Sequence, residues 1–175
     1  MDPVSGTWLA PVAEWDKSAP PEGEFLLLIE PQRIPPHLAL LARGSYFSLS
    51  VKGVELEQDP SRFFSLIDRK KKELLFLPVT PPLEAPDPLE AFLPYKGQGP
   101  PHYTCLSPLA DRFLVEHEQV ETVHGLIEQL DGKGLLERPF LQRNTTEGDR
   151  DGLWIPPYHG NDVRMYLRNH FRKTQ

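Results

Sequence analysis

A chain of 175 residues with 39% apolar and 25% charged side chains can bury one sizeable core, which excludes wholesale disorder. Its net charge of −6, from 19 Lys and Arg against 25 Asp and Glu, disfavours a nucleic-acid footprint or an anionic-membrane surface, since both need basic faces. The single cysteine, Cys105, excludes an intramolecular disulfide framework and a cysteine-rich zinc module, and 20 prolines predict short elements joined by stiff loops.

Residues 1–23 hold four prolines with Trp8 and Trp15 and read as an extended arm partly pinned by its aromatics. No basic segment precedes an apolar run here, so no signal peptide is expected. Phe25–Ile29 is a short apolar run and a buried strand. Leu38–Ala42 and Tyr46–Val51 flank Arg43-Gly44-Ser45, a hairpin signal, and Val54–Glu57 alternates as a half-buried strand.

Asp59-Pro60 opens a helix, with Asp as N-cap and Pro in the first turn. The cations Arg69–Lys72 suit the C-terminal end of its dipole. Leu74–Val79 is a further strand. Residues 80–101, with seven prolines, form a long loop with one helical turn at Pro88–Leu93.

Ser107-Pro108 repeats the helix-start pattern. Leu109, Phe113, Val120, Val123, Ile127 and Leu130 then recur at spacings of three, four and seven, as one long helix or as two broken near Glu118. Arg143–Gly152 is a polar loop, and its Asn144-Thr145-Thr146 matches a glycosylation sequon that lacks a secretory context. A last helix follows Asn161 or Asp162 and carries Val163, Tyr166, Leu167 and Phe171 on one face. Strands followed by helices indicate α+β: a small antiparallel sheet with helices packed on one face, in a single domain over 24–175. No apolar run approaches the ~20 residues that span a bilayer.

Cys105 is the strongest nucleophile available. Placed just before a helix, its thiol pKa would fall towards the reactive range; as a buried free cysteine it would be a small hydrophobe. A thiol needs a base. His117 sits between Glu116 and Glu118 and His124 in the same helical region; His159 lies in a loop, His170 near the last helix end, and His102 is three residues from Cys105. His37 differs, because it opens the apolar strand Leu38–Leu41. A two-residue turn at Arg43-Gly44 pairs Ala39 with Ser48 and His37 with Ser50, which puts His37, Tyr46, Ser48 and Ser50 on one face. Such a row either fixes an imidazole tautomer for catalysis or satisfies a buried histidine.

The succession of His37-Leu38-Ala39-Leu40-Leu41, a hairpin, Tyr46-Phe47-Ser48-Leu49, Lys52-Gly53-Val54-Glu55, a short helix, the strand Leu74–Val79, and Cys105 before a helix resembles the circularly permuted papain-like hydrolases of the NlpC type over residues 24–115. That resemblance implies an amidase, peptidase or thioester-forming activity on a peptide, amide or acyl small-molecule substrate. Cys105 would be the nucleophile and His37 the base, with Ser48 or Ser50 where family members usually carry an acidic or amide residue. No cofactor or metal is implied, and a cytoplasmic location fits.

A second likeness competes. His124–Leu130 followed by Gly132-Lys133-Gly134-Leu135 is similar to the helix and wing entry of winged-helix domains, which implies an interaction module. Its mixed charge favours a protein partner over DNA. The proline-rich loop is a second surface for such a partner, and small-ligand binding without turnover is a third class of function.

Overall fold

The computed structural model describes residues 6–15, 19–97, 103–144 and 152–171. Among the described residues nine strands and five α-helices follow one another. The strands are β1 (Thr7–Leu9), β2 (Val12–Glu14), β3 (Phe25–Ile29), β4 (His37–Ala42), β5 (Ser45–Ser50), β6 (Gly53–Gln58), β7 (Leu74–Pro78), β8 (Phe140–Arg143) and β9 (Leu153–Ile155). The helices are α1 (Pro60–Arg69), α2 (Pro88–Phe92), α3 (Ser107–Phe113), α4 (Val123–Gly132) and α5 (Gly160–Phe171). His102, Thr145, Thr146 and the side chains of His170 and Phe171 lie outside the described residues.

The architecture is α+β, but the sheet is neither small nor wholly antiparallel. Seven strands run in the order β2-β8-β7-β3-β4-β5-β6, with β2 and β8 parallel, and β1 pairs with β9 in a separate two-stranded ribbon. The difference comes from both ends of the described chain. The 1–23 arm supplies β1 and β2, and residues 140–155 supply β8 and β9. Each is only three or four residues long, too short for a period-2 pattern to stand out.

Helices cover both faces of the sheet, not one. The odd-numbered residues of β3 and β4 (Phe25, Leu27, Ile29, Ala39, Leu41) pack with Tyr46, Phe64, Ile67 and Phe76 under α1. The even-numbered ones (Leu26, Leu28, Leu38, Leu40) pack with Phe92, Leu109, Phe113, Val123, Leu126 and Leu130 from α2–α4. Two buried faces explain why β3 and β4 read as unbroken apolar runs.

The local starts follow the residue chemistry. Ser61 donates its backbone N–H to Asp59 Oδ1 at 2.9 Å, capping α1. Asp87 and Glu90 form a reciprocal capping box on α2. The apolar stripe after Ser107 is two helices: α3 stops where Leu114 takes a left-handed backbone angle, a short 3₁₀ turn covers His117–Gln119, and Thr122 caps α4. After α4 the chain enters the main sheet as β8, and β9 pairs with β1.

A buried ion pair ties the two layers. Arg112 of α3, 5% exposed, donates from Nε and Nη2 to Glu24 at 2.9 and 2.8 Å, and to the Pro86 carbonyl. Removing one partner would strand the other charge in the interior, a loss of about 3–5 kcal/mol.

Phe113 is fully buried at the centre of the α2–α4 core. Phe113→Ala is expected to cost ~3–5 kcal/mol in urea-unfolding free energy. A change within about 0.5 kcal/mol, the usual surface effect, would show that this face is not core.

Candidate functional site

The site grows out of the β4–β5 hairpin. Arg43 and Gly44 both have positive φ, 52° and 72°, the combination a tight primed turn requires. The turn sets the register Ala39↔Ser48, Leu40↔Phe47 and Leu41↔Tyr46. Beyond Ala39↔Ser48 that ladder ends, while β3 continues to pair with β4 through Ile29↔His37. The two strands part at His37, and a cavity of about 760 Å³ occupies the opening.

His37 and Ser48 are brought together. Nε2 of His37 lies 3.0 Å from Ser48 Oγ, and Ser48 is only 1% exposed, so each buried polar group satisfies the other. Among the described residues His37 Nδ1 has no hydrogen-bond partner. Burial, reinforced by the nearby Arg33 and Lys72 cations, pushes the His37 pKa down to about 4, so the imidazole is neutral at pH 7. Ser50 is not brought to His37. Its Oγ accepts from the Lys52 backbone N–H at 3.2 Å inside the β5–β6 turn.

Cys105 lines the same cavity, but it packs against the core on the Leu38 and Leu40 side of the sheet, opposite the face that His37 shares with Ala39 and Leu41. The expected lowering of its thiol pKa does not occur. Burial pushes it up, opposed only in part by the neighbouring Leu38 backbone N–H. Helix α3 has seven residues and begins at Ser107, capped by Leu106, so the sulfur sits ahead of the dipole and inside apolar packing. Among the described residues no hydrogen bond joins the thiol to an imidazole.

His124 and His117 serve structural contacts. His124 accepts from Thr7 Oγ1 at Nδ1 (2.7 Å) and donates from Nε2 to the Pro156 carbonyl (3.0 Å), tying α4 to the chain around β1 and β9. His117 lies on the surface against Asp111 at 2.7 Å.

The sequence reading missed most of the cavity wall. Tyr46 and Phe63 stack at 4.5 Å, and both line the cavity together with Leu66 and Ile67 of α1. Across the opening stand Tyr103, Tyr158, Val163, Tyr166 and Leu167. The signal that could have found the α1 wall is its spacing: Arg62, Phe63, Leu66, Ile67 and Lys70 recur every three or four residues. The run Arg69–Lys72 also does more than suit a helix end, because Lys70 and Lys72 line the cavity and Lys72 pairs with Glu30 at 2.5 Å.

No family model matches this chain, and neither a curated protein nor a solved structure matches it. Among the described residues no cluster of three or more His, Cys, Asp or Glu could hold a metal ion, and no helix is long and apolar enough to cross a membrane.

Because the folded-state pKa of His37 is depressed from 6.5 to about 4, the unfolded chain binds the extra proton first. Its contribution to stability is complete above pH 6.5 and is lost as pH falls from 6.5 to 4, about 3 kcal/mol in all. Urea unfolding of the wild type and of His37→Gln across that window is expected to show a shallower pH slope in the variant. Equal slopes would mean that His37 is not held neutral.

Proposed function

We propose that this is a small-ligand-binding protein, with its ligand seated in the opening between β4 and β5. One observation carries the reading: the cavity is drug-sized, mostly apolar and aromatic in its walls, and supplied with convergent polar groups, among them His37, Ser50 and Cys105. That is the composition of binding sites that orient a ligand through a small polar set within an apolar enclosure. The neutral imidazole and the protonated thiol suit such a lining, because neither brings an uncompensated charge indoors.

A second reading is favoured by the Ser48–His37 contact. It is the thiol-hydrolase activity on a peptide, amide or acyl substrate implied by the NlpC-type resemblance. Ser48 would hold Nε2 while Nδ1 of His37 takes the Cys105 proton, the sulfur adds to the carbonyl carbon, and the leaving amine departs with that proton. Both pKa shifts keep the proton on sulfur, so this route needs a substrate-bound rearrangement, and binding without turnover is the reading supported more strongly.

Two measurements test this. Aryl alcohols such as 4-phenylbutan-1-ol should raise the melting midpoint in a dose-dependent way, and Leu66→Trp, which adds bulk to the cavity wall, should weaken that effect at least fivefold. Failure of every member of such a series to stabilise the wild type would overturn the binding reading.

Cys105 should react with iodoacetamide at pH 7.5 more slowly than a free cysteine of pKa ~8.5, and bound aryl alcohol should slow it further. Reaction faster than free cysteine, with an acyl adduct on Cys105 after incubation with amide or ester substrates, would instead establish the hydrolase reading.

A further inference from the structure

The charge of the cavity is opposite to the charge of the chain. The protein carries 25 acidic against 19 basic side chains, yet the cavity is lined by Arg33, Lys52, Arg62, Lys70 and Lys72 against Glu30, Glu55 and Asp59. A local excess of cations at a mainly apolar opening is a field that concentrates anions there.

The pairing within the wall sharpens this. Glu30 serves two cations, with Lys72 Nζ at 2.5 Å and Arg33 Nη1 at 3.6 Å. Among the described residues Lys52, Arg62 and Lys70 form no ion pair. Arg62 lies in the first turn of α1 and Lys70 is the C-cap residue that follows it, eight residues on, with Leu66 midway between them and 37% exposed on the cavity wall. This stretch of the wall thus offers charge, apolar surface and charge in succession.

On the other side of the opening, Arg33 lies 5.6 Å from the Tyr166 ring centroid and donates to its hydroxyl at 3.2 Å. This contact bridges the β3–β4 connection and α5, both of which line the cavity. It holds one guanidinium at the mouth by a cation–π contact.

Resting on the ligand-binding reading, we infer that the ligand is a small amphiphile with an anionic head, a carboxylate or a phosphate, and an apolar or aromatic body. The head sits among Arg33, Arg62, Lys70 and Lys72, and the body lies between the Tyr46–Phe63 stack and the Leu66 wall. The neutral imidazole of His37, held by Ser48 behind it, adds an uncharged polar group to the lining. A cationic head would face a wall that already has more positive than negative groups. A neutral head would leave the unpaired cations without use.

The experiment compares ligands that share one body and differ in the head: 4-phenylbutyrate, 4-phenylbutyl phosphate, 4-phenylbutan-1-ol and 4-phenylbutylamine. Their affinities for the full chain are measured by calorimetry at low salt and again at 0.5 M NaCl. The inference expects at least one anion to bind tenfold or more tightly than the alcohol, the amine to bind most weakly, and salt to erode the anion's advantage. Preference for the carboxylate or for the phosphate identifies the head.

The double variant Arg62→Gln/Lys70→Gln should weaken anion binding at least fivefold. Its melting midpoint without ligand should match that of the wild type, since both side chains are exposed, so the loss is read as lost anion binding and not as lost fold. If the alcohol binds as tightly as the anions, the charge inference fails and the cavity reading stands. If none of the four binds, both fail.

Discussion

Two residues in the left-handed backbone region, Arg43 and Gly44, determine which side chains of β4 and β5 face α1. Strand side chains alternate with period two, so a slip of one residue would carry Ser48 to the α2–α4 side and leave the His37 imidazole buried without a partner. The same turn fixes where pairing stops. With Ala39↔Ser48 the last rung, the strands diverge at the position where the chain needs room for a cavity. Both the His37–Ser48 pair of the site and its volume therefore descend from one tight turn.

The rest of the fold frames that opening. The β3 and β4 strands are buried on both sides and act as a rigid spine, with one core cluster under α1 and another under α2–α4. Each cluster sends residues to the cavity: Tyr46, Phe63 and Ile67 from the first, Cys105, Leu106, Val123 and Leu167 from the second. Because both clusters line the cavity, a molecule seated there touches both layers. Binding of this kind stabilises the native state by mass action.

How much of this the residues disclose depends on how local the cause is. The Asp59-Pro60 start, the α3 start at Ser107-Pro108, the buried stripe Leu109, Phe113, Val120, Val123, Ile127 and Leu130, and the Ala39–Ser48 rung all follow from neighbours within a few positions. So does the placement of His37 beside Ser48. The parallel pairing of β2 with β8 depends on segments about 130 residues apart and leaves no periodic trace in three-residue strands. Helix α1 covers the second face because Phe64 and Ile67 find Phe25, Leu27 and Phe76 there, a match invisible until β3 is placed in the middle of the sheet. The cysteine shows the limit most clearly. Its distance from a helix start is legible, but the sign of its pKa shift is set by packing from distant segments, and burial outweighs the amides ahead of α3.

The pairing of β1 with β9 and of β2 with β8 has a consequence for how the molecule is made. Translation delivers Thr7–Glu14 well before their partners Phe140–Arg143 and Leu153–Ile155, with β3 to β7 made in between. Until then β7 presents an unpaired edge, and unpaired edges invite association with other chains. Loop closure over such separations is slow compared with hairpin formation. The β3–β6 meander can settle early on the ribosome, whereas the sheet gains β8 and β2 only as a last, stitching step.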